Sequence, residues 1–436
     1  MPDGAELLSE NFQVLNRPVV RRRRKTFADI RIELSWSFAG ATIKDTAYIT
    51  HGFYTYPAKF IPQLARRLIV EHSREGELVI DPFMGSGTTL VEAMVQNRRG
   101  LGVDVNEIAA LVSKVKTTPL DQARLERAGE RVLARLEDRA AQDEALPERI
   151  DYWFAPDTKR KLLLLRTEIL RVRDKDIKDF LLVAFAQILK TCSIWMQKSV
   201  KPTRHFDKPA VDPWQRFSLQ WRKMLQRHEA FLLCLRGKEL GGAEAKNADC
   251  RRLPCKDGEA ALVVTSPPYV TSYEYADLHQ LPALWLGHLE ELAPFRQKFI
   301  GSQGRARTHD LELESARAER IVERLGRGKK AESVRHYFAD MLESFAEMQR
   351  VLRPGGKAAI VIGNTSLQGV EILNAEVFEE QLHALGFATA DIIKREIPSK
   401  MLPSVRDEKN GRFVSNGHAQ KQLAYPTEYI LVMEKR

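Results

Sequence analysis

The stretch ELVIDPFMGSGTTLVEAMVQNRRGLGVDVN, from Glu77 to Asn106, reads as strand, glycine turn, helix and strand. Leu78, Val79 and Ile80 form a short apolar run, as in a strand buried on both faces, and GLGVDV is a second such run closing on Asp104. Between them TLVEAMVQ carries a helical period. Strand, helix and strand in this order form a βαβ unit, whose parallel strands predict an α/β sheet. Gly85 and Gly87 sit where the chain leaves the first strand and opens the helix. Glycine lets backbone approach a ligand closely, and the free N–H groups of a helix start favour an anion. Asp104 follows roughly 20 residues on, the spacing at which a carboxylate meets ribose hydroxyls in nucleotide-binding sheets. The turn departs from GxGxxG and lacks the GK[ST] of a phosphate loop, so a nucleoside-bearing cofactor fits better than a dinucleotide.

Outward from this unit, YPAKFIPQLARRLIVEHS places Pro62 at a first helical turn, with Leu64, Leu68 and Ile69 at helical spacing behind it. The first fifty residues look irregular and contain RRRRK (Arg21 to Lys25), a run that serves either as a solvated tail or as a phosphate-gripping arm. From about Leu120 to Glu244 the chain turns to helices rich in Leu, Arg, Lys and Glu, interrupted by the basic, proline-bearing loop QKSVKPTRHFDKPAVDPWQRF. A second charged helical insertion spans about Pro294 to Lys330. The α/β pattern returns with an amphipathic helix ending near Pro354-Gly355-Gly356 and a buried strand after it. TADIIKREIP and TEYILVMEK then read as two strands of an antiparallel pair at the sheet's edge. The expected organisation is a basic arm over 1–50, a cofactor-binding half over 51–120 and a helical insertion over 121–245. A catalytic-motif half over 246–290, a second insertion over 291–335 and the remainder of the catalytic domain over 336–436 complete it.

The chain has 436 residues, 44% of them hydrophobic, enough for a sizeable core. Its 68 basic against 58 acidic residues give a formal charge of +10, which favours a polyanionic partner. The four cysteines, Cys192, Cys234, Cys250 and Cys255, show neither a CxxC pair nor a metal-ligand spacing, which argues against a disulfide scaffold and against a metal site. The opening MPDGAELLSENFQVLNRP lacks the apolar core of a signal peptide. FLLVAFAQIL is about half the length a membrane-spanning helix needs. A reduced, cytoplasmic and nucleoid-associated protein is expected, with no membrane partner.

A second stretch carries the chemistry. VVTSPPYVTSYEYAD (Val263 to Asp277) runs a buried strand into Thr265 and Ser266, then two prolines, then Tyr269. A Pro-Pro pair ends a strand and stiffens the backbone behind it, which is useful where a hydroxyl and a flat ring must be held in place.

Together DPFMGSGTT and TSPPY resemble the two signature motifs of the S-adenosylmethionine-dependent DNA amino-methyltransferases. Phe83, Gly85 and Gly87 match the FxGxG cofactor motif, and Ser266-Pro267-Pro268-Tyr269 matches [DNS]PP[YFW]. HGFYTYPAKF resembles the family's additional cofactor-side motif, and Asp249 in NADCRRLP resembles the residue that meets the cofactor's adenine. The resemblance covers about Thr50 to Pro119, Lys246 to Leu286 and Tyr337 to Arg436, leaving both insertions outside. It implies a Rossmann-like class I methyltransferase sheet, mostly parallel with an antiparallel edge strand, plus helical insertions. It further implies S-adenosyl-L-methionine as cofactor, held by Tyr56, Pro57, Lys59, Asp81, Phe83, Gly85, Ser86, Gly87, Thr88, Thr89, Asp104 and Asp249. Ser266, Pro267, Pro268 and Tyr269 are then the catalytic set.

The implied reaction puts a methyl group on an exocyclic amine of a base flipped out of double-stranded DNA. Serine before the prolines leans toward cytosine N4, with adenine N6 as the alternative. An RNA base methyltransferase and an inactive nucleic-acid-binding subunit are the remaining readings. Lys201, Arg204, His205 and Tyr273 are the expected DNA contacts. A cognate restriction endonuclease is expected as a functional rather than a stably bound partner. His51 and His279 are read as hydrogen-bonded structural residues. Tyr273 and Tyr275 either line the pocket or fill a helix face.

Overall fold

The computed structural model describes residues 27–56, 59–137, 146–197, 199, 202–270, 275–289, 291–300, 311–397, 405–407, 419, 421–423 and 426–436. Helix α1 (Pro62–His72) starts with proline in its first turn and buries Leu64, Ala65, Leu68 and Ile69. Strand β1 (Leu78–Asp81) is buried throughout, and α2 (Thr88–Val95) buries all of its residues, its polar Thr89 and Glu92 being hydrogen-bonded. Strand β2 (Arg99–Asp104) follows, then α3 (Glu107–Thr117), capped by the Asn106 side chain on the Ile108 amide.

The first insertion contributes α4 (Gln122–Glu137), α5 (Pro156–Leu170), α6 (Lys175–Cys192) and α7 (Pro213–Leu235). After it come β3 (Gly242–Asn247), β4 (Ala260–Thr265), α8 (Gln280–Trp285) and α9 (Leu292–Gln297). Then follow α10 (Ala316–Leu325), α11 (Lys329–Val351), β5 (Leu352–Ile362), α12 (Asn374–Ala384), β6 (Phe387–Glu396) and β7 (Thr427–Lys435).

These strands form one seven-stranded sheet in the order β3-β2-β1-β4-β5-β7-β6. The pairs from β3 to β5 are parallel, and β7 runs antiparallel to both β5 and β6. TADIIKREIP and TEYILVMEK do pair, from Thr427 opposite Glu396 to Lys435 opposite Phe387. The antiparallel strand is therefore next to the edge, with β6 outermost. The βαβ unit read from Glu77 to Asn106 is the sheet's centre: β1 pairs with β2 on one side and β4 on the other.

Strand β3 begins inside the segment expected to be helical. GAEAKN has no apolar run to announce it, because an edge strand is held by backbone pairing with β2 and exposes much of its surface. Likewise α11 passes unbroken through the expected boundary at residue 335.

The four insertion helices share a hydrophobic core with α3 and with Phe53, Tyr54 and Tyr56, so the insertion packs on the cofactor-motif side of the sheet. On the other side α11 and α12 bury Phe338, Phe345 and Phe378 against Ile80, Val263 and Ile360. Helix α2 lies so close on β2 that a Cβ at Gly102 would stand 2.6 Å from Leu90 Cδ1 and 2.8 Å from Met84 Cβ. Gly102→Val is expected to cost about 1–3 kcal/mol by overpacking, read as a lower urea midpoint; an unchanged midpoint would contradict this packing.

Candidate active site

The cofactor turn leaves β1 and the TSPPY segment leaves β4, so the two motifs emerge side by side from adjacent central strands. Asp81 joins them. Its carboxylate accepts from Thr265 Oγ1 at 2.6 Å, from Thr89 Oγ1 at 2.7 Å and from the Phe83 amide at 3.1 Å. The Thr89 hydroxyl also lies 3.2 Å from the Val264 carbonyl. Asp81 is 1% exposed, and burial pushes its carboxyl up to about 6. Asp81, expected among the cofactor residues, lies behind the cleft, where its oxygens serve three protein donors.

The cleft in front encloses about 830 Å3 including its open mouth. Of the expected cofactor residues, Tyr56, Lys59, Phe83, Gly85, Ser86, Thr88, Asp104 and Asp249 line it, and Ser266 and Pro268 line it too. Asp81, Gly87 and Thr89 do not. Gly87, at φ +74°, faces Ser113, which a Cβ there would approach to 2.9 Å, so it serves the turn's packing. Pro57 lies outside the described residues.

Gly85 has φ +48°, and an added Cβ would meet the Tyr56 ring at 3.2 Å, which explains why only glycine fits this wall. Its amide donates to Asp104 Oδ2 at 3.0 Å, while Asn106 N donates to Oδ1 at 2.9 Å. Burial nevertheless holds the Asp104 carboxyl up to about 6. The Asp249 carboxylate accepts from the Arg251 amide at 2.9 Å and from its guanidinium at 2.6 and 3.0 Å, and Arg251 reaches on to Asp340 at 2.8 Å.

Two features escaped the sequence reading: the burial of Lys116 behind the cleft, next to the expected Lys59, and the reach of Phe299 and Ile300 into it. Lys116 on α3 is fully buried and donates to the Ser86 carbonyl at 2.8 Å, with burial pushing its pKa well down. Lys59 beside it donates to the His51 carbonyl at 3.1 Å and is lowered to about 8 by burial and by Arg227. Val112 and Val115 give α3 an apolar face, and nothing in that pattern marks Lys116 as buried. Phe299 and Ile300 of the second insertion also line the cleft, held by Lys298 Nζ on Glu107 at 2.6 Å. Their apolar character within a charged segment was the available signal.

The TSPPY segment is clamped from behind. Pro267 is buried, and Tyr337 Oη donates to the Pro268 carbonyl at 2.7 Å. Tyr269 Oη donates to Glu428 at 3.2 Å, and Glu428 pairs with buried Arg395 at 2.9 Å. A Cβ at Gly363 would lie 3.1 Å from the Tyr269 ring, so close backbone supports one side of it. His51 is hydrogen-bonded as expected, Nε2 lying 2.8 Å from Glu92 in a buried network with Tyr48 and Arg66. His279 is not: it is buried against the Tyr54 and Tyr56 rings, and neither ring nitrogen has a partner among the described residues. Burial lowers it to about 4. Tyr273 and Lys201 lie outside the described residues, and Tyr275 opens the short helix Tyr275–Leu278. Arg204 and His205 sit on a loop of the first insertion.

This strand order, with a cleft at the C-terminal ends of β1, β2 and β4, is a Rossmann-like class I methyltransferase sheet. A model described as DNA methylase, of the N6/N4 type, matches residues 12–114. The chain is 25% identical over 409 residues to the Type II methyltransferase M.MvaI of Kocuria varians, covering 86% of this chain and 89% of that one. It is 22% identical over 398 residues to the Type II methyltransferase M.BsoBI of Geobacillus stearothermophilus, covering 76% and 78%. Similar solved structures include a TehB-like S-adenosylmethionine-dependent methyltransferase from Corynebacterium glutamicum, at 9% identity and TM-score 0.28 over 85% of this chain and 86% of that one. Another S-adenosylmethionine-dependent methyltransferase, from Methanosarcina mazei, has 8% identity and TM-score 0.30 over 84% and 96%. The chain is thus similar to N6/N4-type DNA methylases over residues 12–114 and to a Type II methyltransferase over most of its length. Among the described residues no cluster suited to a metal ion is present, and no helix is long and apolar enough to cross a membrane.

A buried lysine with a single carbonyl partner costs stability. Lys116→Met is expected to raise the unfolding free energy at pH 7 by roughly 1–2 kcal/mol. A loss of stability instead would show that Lys116 holds the glycine turn together.

Proposed function

We propose that the protein methylates the exocyclic N4 amine of cytosine in double-stranded DNA, at a specific site and after base flipping, as the modification activity of a restriction system. The observation that carries this reading is Ser266, at the cleft beside the glycine turn, with Thr265 tied through Asp81 to that turn. The two relatives named as Type II methyltransferases support the restriction context. A cytoplasmic, nucleoid-associated location agrees with it.

The residues fit the cofactor. Asp104 is the acceptor for its ribose hydroxyls, and Val105, Phe299 and Ile300 offer apolar walls for the adenine, with Asp249 at the same end. The start of α2 and the Lys59 ammonium suit its carboxylate. Gly85 leaves room that a side chain would fill. When bound, S-adenosylmethionine supplies a methyl group on a positively charged sulfur. The protein's part is to hold the amine. The Ser266 hydroxyl and the Pro267 carbonyl accept its hydrogens, and accepting both directs the nitrogen lone pair away from the ring plane. Tyr269 stacks on the flipped base, its plane fixed by Glu428 and Gly363. No covalent base adduct is needed, so catalysis is positioning and electrostatics. Serine is a small, uncharged acceptor, which suits the cytosine amine.

Incubation with deuterium-methyl S-adenosylmethionine and mixed-sequence duplex DNA, followed by nucleoside mass spectrometry, is expected to give labelled N4-methylcytosine. Labelled N6-methyladenine would keep the mechanism and overturn the cytosine assignment; label confined to an RNA control would overturn the DNA substrate, and no label anywhere would favour an inactive binding subunit. Tyr269→Ala is expected to cut transfer by roughly 10-fold to 100-fold with cofactor affinity unchanged, and full turnover in this variant would remove the stacking role.

Cofactor affinity should also depend on pH. Ribose hydroxyls donate to the ionised carboxylate, and Asp104 titrates at about 6. Affinity is therefore expected to be flat above that value and to fall by about tenfold per pH unit below it. Asp104→Asn should bind weakly and lose this fall. If the fall persists in the variant, a group other than Asp104 causes it.

A further inference from the structure

The loop carrying Arg204 is built more rigidly than a solvated basic loop requires. Arg204 forms an antiparallel bridge with Trp195, flanked by hydrogen bonds from Met196 N to Thr203 O at 2.8 Å and from His205 N to Ile194 O at 2.7 Å. Lys208 closes the loop by donating to the carbonyls of Lys190, Ser193 and Trp195 at 2.7–2.9 Å. Trp195 stacks on Trp153, whose indole N–H reaches Gln280 of α8 at 3.2 Å, with Arg149 on the same oxygen at 3.0 Å. The loop is thereby fixed to the segment that follows TSPPY.

On this mount the Arg204 guanidinium lies between two exposed rings, 4.2 Å from Tyr152 and 4.4 Å from Phe206. Tyr152 is 47% exposed and Phe206 71%. Among the described residues Arg204 makes no ion pair, and its Nε is buried without a hydrogen-bond partner. A fork whose plane is set by stacking, and which pairs with no carboxylate among the described residues, suits a planar acceptor pair from outside. A phosphate can be held by a lysine point charge as well as by a fork, whereas the acceptor pair O6 and N7 of guanine in the major groove is matched by an oriented fork.

We infer that Arg204, held between Tyr152 and Phe206, reads a guanine in the DNA site that the enzyme recognises. This rests on the DNA methyltransferase reading above. The test maps methylated sites in a randomised duplex library for the wild-type chain, Arg204→Ala and Arg204→Lys. Both variants are expected to lose discrimination at one guanine by roughly 10-fold to 100-fold, lysine failing because it keeps the charge without the fork. A lysine variant with wild-type site choice, and an alanine variant weakened uniformly with a shallower salt dependence, would make Arg204 a phosphate contact and overturn the inference. Wild-type site choice and affinity in both variants would place the loop away from DNA and overturn it as well. Absence of DNA methylation by the wild-type chain would instead sink the reading on which it rests.

Discussion

One buried carboxylate sets the geometry of this protein. Asp81 ends β1 and gathers the hydroxyl that opens α2, the amide of the turn between them and the hydroxyl at the end of β4. A carboxylate in this position, 1% exposed and without a cation, is costly to ionise unless hydrogen bonds compensate. Its three donors offset part of that cost, and each ties down a different segment around the cleft. The cofactor turn and the TSPPY segment are therefore one rigid body, although 184 positions separate Asp81 from Thr265. Methyl transfer needs that unity, because the methyl donor and the accepting amine must meet within fractions of an ångström.

The surroundings follow the same logic of rigidity in a dry site. Lys116 and His279, buried behind the cleft, and Lys59, which lines it, are all shifted down by burial. Asp104 is shifted up for the same reason. Groups held away from their preferred protonation are a cost to the fold and a hallmark of places where a ligand is expected. Behind the TSPPY segment, Tyr337, Glu428 and Arg395 come from three distant parts of the chain and leave Pro268 and Tyr269 little room to move.

Much of this was legible in the residues. The apolar runs at Leu78–Ile80 and GLGVDV, with glycines and a helical period between them, mark β1, α2 and β2 because buried parallel strands have no other way to read. Gly85 and Ser266 were recognisable because each must meet a local demand: backbone room at a turn, a hydroxyl at a strand end. What was illegible depends on contacts across the chain. Asp81 looks like a ligand in sequence and faces inward in space, since only the fold brings Thr265 to it. Strand β3 is invisible because GAEAKN has no apolar period. Phe299 and Ile300 reach the cleft through the Lys298–Glu107 pair, which bridges 191 positions.

The claim that Asp81 makes the two motifs a single catalytic unit is tested most directly by a double-mutant cycle on Asp81→Ala and Thr265→Val, with the methyl-transfer rate measured at saturating cofactor. Residues in one hydrogen-bonded unit are expected to be coupled by about 1–3 kcal/mol, so the double variant should be little slower than the worse single variant. Independent, additive losses would show that the cofactor turn and the TSPPY segment are positioned separately and would contradict the account.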